Sequence, residues 1–259
     1  MTENTEFREE LKRVVRTHDP NTDELRAAAA VQLTQIPRPG DIGQVRFSNF
    51  FAASHVVAGD TFDYTELSDD RVGLFQIDVA GHGAAAGLVS VAAHIGARRA
   101  MRSLKPGISL AHAVQTLNAH WNPEMTYFTM VAIELDTREN TGRIVQAGHP
   151  HPVLMRADGS ISRLGEGGLP IGVLPDAAYE EIAFPFTSGD RIFMFSDGLY
   201  ENVNERGELF TEERFIEILT SNANCATDDL VLKVRKSLAA WCGSETFSDD
   251  VSLVVAERK

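Results

Sequence analysis

Runs of alternating or continuous apolar residues, mostly four to nine long and bounded by turn residues, dominate the middle of this chain. They predict strands near 44–53, 71–78, 127–135, 142–147, 152–155, 179–184, 192–195 and 248–255. Turn signals at Thr141-Gly142, Asp158-Gly159 and Ser188-Gly189-Asp190 make antiparallel hairpins the expected connection. Helical stretches lie outside this block. An Ala-rich run near 23–36 is stopped by Pro37-Arg38-Pro39-Gly40, and its Leu25, Ala28, Val31 and Leu33 form a modest apolar stripe for docking on its own domain or on a partner. A mostly apolar helix begins at Ala84, a second spans 109–121 with Ser109 at a cap position, and two more are expected at 211–220 and 227–241. Strands enclosed by helices make this an α+β chain built in layers.

Composition narrows the partners. With 24 Lys and Arg against 37 Asp and Glu the formal charge is −13, which disfavours a nucleic-acid backbone. No stretch has the apolar length of a membrane span, and the polar, acidic N-terminus lacks the basic and apolar regions of an export signal, so a cytoplasmic location without membrane contact is expected. Cys225 and Cys242 have neither metal-ligand nor disulfide spacing and are expected as free thiols.

The chemistry lies in where the acids fall. The run Ile192–Phe195 stops at Asp197-Gly198, the strand 71–78 delivers Asp78 at its end, and Asp249-Asp250 open the last strand. Asp-Gly alone is ordinary turn chemistry. Three buried strand ends that each carry an acid instead point to one shared cation site. Asp60 and Asp78 flank one hairpin, which can bring them side by side. The histidines do not compete for this role. His94, His112 and His120 lack a second ligand at zinc spacing, and His149-Pro150-His151-Pro152 reads as a rigid loop.

Taken in order, Ala58-Gly59-Asp60-Thr61-Phe62-Asp63, Asp78-Val79-Ala80-Gly81-His82-Gly83, Tyr127-Phe128-Thr129-Met130, Ala147-Gly148-His149-Pro150, Gly168-Leu169-Pro170-Ile171-Gly172, Ser196-Asp197-Gly198 and Asp249-Asp250 closely resemble the RsbU/SpoIIE-type branch of the PPM metal-dependent Ser/Thr phosphatases. The resemblance covers about residues 44–257 and departs from the usual pattern at Ala58 and Thr61, beside a ligand position. It implies an α-β-β-α sandwich of two antiparallel sheets, with residues 1–43 as a helical extension and linker and 44–259 as the phosphatase domain.

It further implies two Mn²⁺ or Mg²⁺ ions: Asp78 bridging them, with the Val79 backbone carbonyl beside it, Asp60 on one ion, and Asp197 and Asp249 on the other, with Asp250 as a further candidate. Oxygen-only donors suit those metals. His82 is a candidate proton donor to the leaving oxygen, or a residue that shapes its loop. The expected function is dephosphorylation of a phosphorylated STAS-type anti-anti-sigma factor in a partner-switching pathway. A regulator bound to the N-terminal helix and a homodimer are compatible with it. The alternatives are a two-metal phosphatase of small phosphoesters or nucleotides, and a catalytically silent binding module.

Overall fold

The computed structural model describes residues 20–259 except 106 and 123; the first nineteen residues of the expected extension fall outside the described residues. The chain order is α1 (Pro20–Gln35), β1 (Gly40–Ile42), β2 (Val45–Ala52), β3 (Thr61–Ser68), β4 (Arg71–Val79), α2 (Gly83–Arg102), α3 (Leu110–Ala119), β5 (Phe128–Asp136), β6 (Thr141–Ala147), β7 (Val153–Met155), β8 (Ile161–Arg163), β9 (Glu181–Pro185), β10 (Arg191–Phe195), α4 (Gly198–Glu201), α5 (Glu212–Ser221), α6 (Thr227–Cys242) and β11 (Val251–Arg258). One sheet has the order β1-β2-β11-β10-β7-β8, the other β3-β4-β5-β6-β9, and every ladder is antiparallel. The expected α-β-β-α sandwich of two antiparallel sheets is the fold observed.

Period-two alternation decides what each strand sends to which side. On β4, Val72 and Leu74 enter the core between the sheets, while Phe75, Ile77 and Val79 pack under α2 and α3. On β10, Ile192 and Met194 face between the sheets, and Phe193 and Phe195 pack against α5 and α6. On β11, Val254 and Ala256 face between the sheets. Burial of these side chains, at roughly 25 cal/mol per Å² of apolar surface, is the main force closing the layers.

The last strand begins at Val251, so Asp249 and Asp250 precede it and do not form part of it, and it runs on to Arg258. Strand β9 starts at Glu181 where the sequence placed its start at 179, because Tyr179 is held in the α2/α3 core before the ladder to β6 begins. Ser109 caps α3 as expected, its Oγ accepting from His112 N at 3.1 Å. Strand β1, within the segment expected as linker, pairs with β2 and extends the first sheet.

The N-terminal helix turns part of the predicted stripe to the fold: Leu25, Ala28 and Leu33 are half-buried, Leu25 and Ala28 on the same face as Gln32. Val31 is 57% exposed, whereas Gln32 is 3% exposed. Gln32 Nε2 donates to the Ala58 carbonyl at 2.6 Å and to Ser90 Oγ at 2.7 Å, while Ala58 N donates to Gln32 Oε1 at 3.0 Å. A buried amide can be satisfied only by such partners, so one polar residue fixes α1 on α2. Of the stripe only Val31 points away, and Gln32 was not foreseen because apolarity alone does not reveal a buried hydrogen-bond clamp.

Candidate metal centre

The same alternation that builds the core carries acids to its end. Counting on from Phe62 and Tyr64, which face between the sheets, puts Asp60 on that side; from Val72 and Leu74 it puts Gln76 and Asp78 there; from Ile192 and Met194, Ser196; and from Val254 and Ala256, Ser252 and Asp250. Asp60 lies one residue before β3 and Asp78 one residue before the end of β4, and the register Thr61↔Ile77 sets them against each other at the mouth of the hairpin.

Asp60 is 1% exposed, and Ser252 Oγ donates to its Oδ2 at 2.6 Å. Gln76 Nε2 donates to Ser252 Oγ at 2.7 Å and to the Ser252 carbonyl at 3.0 Å, which ties the second sheet to the first beneath the acids. Ser196 N donates to the Ser252 carbonyl, and Ser252 N donates to Ser196 Oγ, each at 3.0 Å. Gln76, Ser196 and Ser252 were not singled out in the sequence. Their signal was present, since each breaks an apolar alternation on the side facing the core.

Burial first, then repulsion from Asp78 and Asp250, drives the Asp60 carboxyl well above the usual carboxylate range. Burial followed by repulsion from Asp197, Asp249, Asp250 and Glu201 pushes Asp78 up to about 7. Asp197 is pushed up to about 6 by burial, with Asp249 and Glu201 adding to it. Asp249 is raised by burial, while His55 and His82 nearby oppose the shift. The charged groups that act most strongly on Asp78 are all carboxylates. Such a cluster stays ionised near neutrality only if a cation offsets it.

Glu201, on α4 one turn beyond Asp197, joins this group although the sequence reading passed over it. Among the described residues no three His, Cys, Asp or Glu side chains already stand in an arrangement that encloses an ion. The donor chemistry nonetheless fits a hard divalent cation, because the clustered acids offer carboxylate oxygens and hang from fixed strand ends.

Asp250 has a separate set of contacts. Its Oδ1 accepts from Ser54 N at 2.7 Å and Ser54 Oγ at 2.8 Å, and its Oδ2 accepts from Gly59 N at 2.7 Å. These bonds hold the 54–59 loop over the acids. A Cβ on Gly59 would lie 3.1 Å from the Val79 carbonyl oxygen, so the loop rests directly on that carbonyl. His82, at the N-terminus of α2, is exposed and its ring stacks on His55 at a centroid distance of 5.3 Å. Of the other histidines, His94 and His149 are buried and hydrogen-bond Thr61 Oγ1 and Thr129 Oγ1, each at 2.8 Å, and His112 and His120 are exposed. Cys225 and Cys242 are free thiols. No helix among the described residues is long and apolar enough to cross a membrane.

Comparison with known proteins agrees with this fold. The phosphoserine phosphatase RsbP of Bacillus subtilis is 24% identical over 243 residues, covering 91% of this chain and 58% of RsbP. The chain thus spans less than two thirds of that relative. The SiaA-PP2C domain of Pseudomonas aeruginosa superposes with a TM-score of 0.78 at 20% identity, over 92% of this chain and 96% of that one. The PP2C phosphatase domain of the cell fate determinant SpoIIE from Bacillus subtilis, solved with a fragment of its regulatory domain, superposes with a TM-score of 0.71 at 19% identity, over 85% of this chain and 64% of that one. Below 25% identity these superpositions establish the fold. The sequence profile of Stage II sporulation protein E (SpoIIE) matches residues 68–259, about three quarters of the chain, from the last residue of β3 through Asp78 and Asp197 to Asp249 and the C-terminus, and so the chain belongs to the SpoIIE family, the RsbU/SpoIIE-type branch of the PPM phosphatases.

Proposed function

We propose that the chain is a metal-dependent serine/threonine phosphoprotein phosphatase whose substrate is a phosphorylated STAS-type protein of a partner-switching pathway. The observation that carries this reading is the carboxylate cluster at the inter-sheet end, whose members are raised first by burial and then by repulsion from one another. In this reading Asp60, Asp78, the Val79 carbonyl, Asp197 and Asp249 hold two Mn²⁺ or Mg²⁺ ions. Asp250, whose oxygens are taken by Ser54 and Gly59, serves as the tie that positions the loop. When bound, such ions neutralise the phosphoryl oxygens and lower the pKa of water to the neutral range.

The protein's own residues hold the acids in place. Ser252, itself fixed by Gln76, holds one Asp60 oxygen by a hydrogen bond, and Ser196 locks β10 to β11 just before Asp197. Fixed donors of this kind lose little order on binding, which favours tight ion binding. His82 stacks on His55 beside Asp249 and is assigned here to shaping the loop. RsbP is a phosphoserine phosphatase by name, which supports the same reaction for this relative.

The test compares phosphate release from a serine-phosphorylated STAS protein with release from p-nitrophenyl phosphate, in excess chelator and after addition of Mn²⁺, Mg²⁺ or Ca²⁺. The expected result is turnover of the phosphoprotein with Mn²⁺ or Mg²⁺ and none in chelator or with Ca²⁺, which is larger and activates water poorly. Full activity in chelator would sink the metal reading. Preference for the small ester would replace the protein substrate with a small phosphoester.

The clamp on α1 has a separate consequence. Because Gln32 holds Ala58, two residues before Asp60, Gln32→Ala is expected to raise the Mn²⁺ concentration for half-maximal activity several-fold with a smaller change in maximal rate. Deletion through Pro39 should act in the same direction. An unchanged metal dependence in both variants would make α1 a passive extension.

A further inference from the structure

On the opposite side of β3 from the acids, alternation sends Thr61 and Asp63 beneath α2. There a cleft of about 480 Å³ opens between the end of α1 and the last turns of α2, lined by Gln35, His94, Ile95, Arg98, Arg102 and their neighbours Arg99 and Ser103. In a chain of net charge −13, three arginines within five residues at one opening stand out. Cations near a helix C-terminus complement its dipole, which accounts for part of this pattern.

The dipole does not account for the polar atoms left over inside. Gln35 Oε1, His94 Nε2 and Arg98 Nε are buried with no hydrogen-bond partner, and His94 is 1% exposed. Arg98 Nε lies 2.9 Å from Asp63 Oδ2 without hydrogen-bond geometry, and His94 Nε2 lies 3.8 Å from the same oxygen. Arg99 and Arg102 have no carboxylate within ion-pair distance among the described residues. The ion pair with Asp63 offsets Arg98 Nε, which leaves Gln35 Oε1 and His94 Nε2; a buried polar atom left unpaired costs about 1–3 kcal/mol, and two beside one opening fit a polar guest.

We propose that this cleft binds a small organic phosphate of about mononucleotide size, with Arg99 and Arg102 on its phosphate, and with Gln35 Oε1 accepting from a hydroxyl or amino group of the same molecule. Arginine suits phosphate because its planar fork donates in pairs. The unsatisfied Gln35 acceptor asks for a donor that inorganic phosphate at neutral pH supplies poorly, which is why an ester with hydroxyl or amino groups fits better. The volume falls within the range of small-molecule sites. Burial lowers the His94 pKa to about 4, so the imidazole is neutral here and offers a hydrogen bond without adding charge. The site lies across the sheet from the proposed metal centre and does not depend on it.

The experiment is calorimetric titration of the intact chain in excess EDTA with inorganic phosphate, ribose 5-phosphate and adenosine monophosphate. The chelator removes binding through metal ions, so failure of the phosphatase reading leaves this test untouched. The expected result is that at least one ester binds more tightly than inorganic phosphate. Binding should weaken about tenfold or more in Arg99→Ala/Arg102→Ala, both exposed positions whose loss does not threaten the fold, and should be unchanged in Asp197→Asn. No binding of either ester, or equal binding by the double variant and the wild type, would overturn the proposal.

Discussion

Asp78→Asn is expected to abolish metal-dependent phosphatase activity, by on the order of a hundredfold or more, while making the metal-free protein more stable. The activity loss follows from the proposed role of Asp78 as a metal ligand, since even residues behind a metal ligand cost 10–100-fold when removed. The stability gain follows from electrostatics. The Asp78 pKa is about 7 in the fold against an ordinary 3.8, so the fold favours the protonated acid. That contribution is fully present below about pH 4 and is lost as pH rises towards 7; above that the ionised Asp78 opposes folding by an amount on the order of 3 kcal/mol. Asp197, pushed up to about 6, acts in the same sense over a narrower window. Thermal melts in chelator should therefore show wild-type Tm falling between pH 5 and pH 8. Asp78→Asn should melt higher than wild type at pH 8, with the gap closing towards pH 5. A variant that melts lower at pH 8, or one that keeps wild-type turnover, would show that Asp78 lies outside any charge-crowded metal centre.

Gly198→Ala should be the most damaging single-methyl change near the site. A Cβ at residue 198 would stand 2.0 Å from the Asp250 carbonyl oxygen and 3.4 Å from the Asp249 Cβ. The obstructing atom is backbone, so it cannot rotate away, and either α4 or the start of β11 must move. The expected cost is about 3 kcal/mol or more in stability, from overpacking against fixed atoms. The displaced group carries Asp197 on one side and Asp249 on the other, so activity should fall even in the fraction that folds. Chemical denaturation and turnover per folded molecule check this. A destabilisation below about 1 kcal/mol with intact turnover would mean that the β10–α4 turn is not the tight junction described here.

The strand ends were legible in the sequence because two rules coincide there. Apolar runs of strand length mark where the sheets lie, and an acid that ends such a run has no apolar reason to be there, which is how Asp78, Asp197 and Asp249 were found before any fold was known. What connects them was less visible. Gln76, Ser196 and Ser252 bond across 176 and 56 residues of sequence, and nothing local marks one serine as bonding another strand. Glu201 was missed because the four-residue α4 is too short to produce a helical period. The clamp on α1 was missed for a related reason: Leu25 and Ala28 of the apolar stripe face the fold, but Val31 does not, and the buried contact is an amide whose partners, Ala58 and Ser90, lie far along the chain. Hydrophobic periodicity reports burial of surface; specific polar pairing over long range leaves no period to read.

The central claim is that the acids at the inter-sheet end form a site for divalent cations, and direct Mn²⁺ titration by calorimetry near pH 7.5 tests it without requiring a substrate. The account predicts Mn²⁺ binding to the wild type with release of protons, because Asp60 and Asp78, the acids held furthest above the ordinary carboxylate range, must ionise to bind, and at least a tenfold loss of affinity in Asp197→Asn. Absence of Mn²⁺ binding by the folded wild type, or equal affinity in Asp197→Asn, would contradict it.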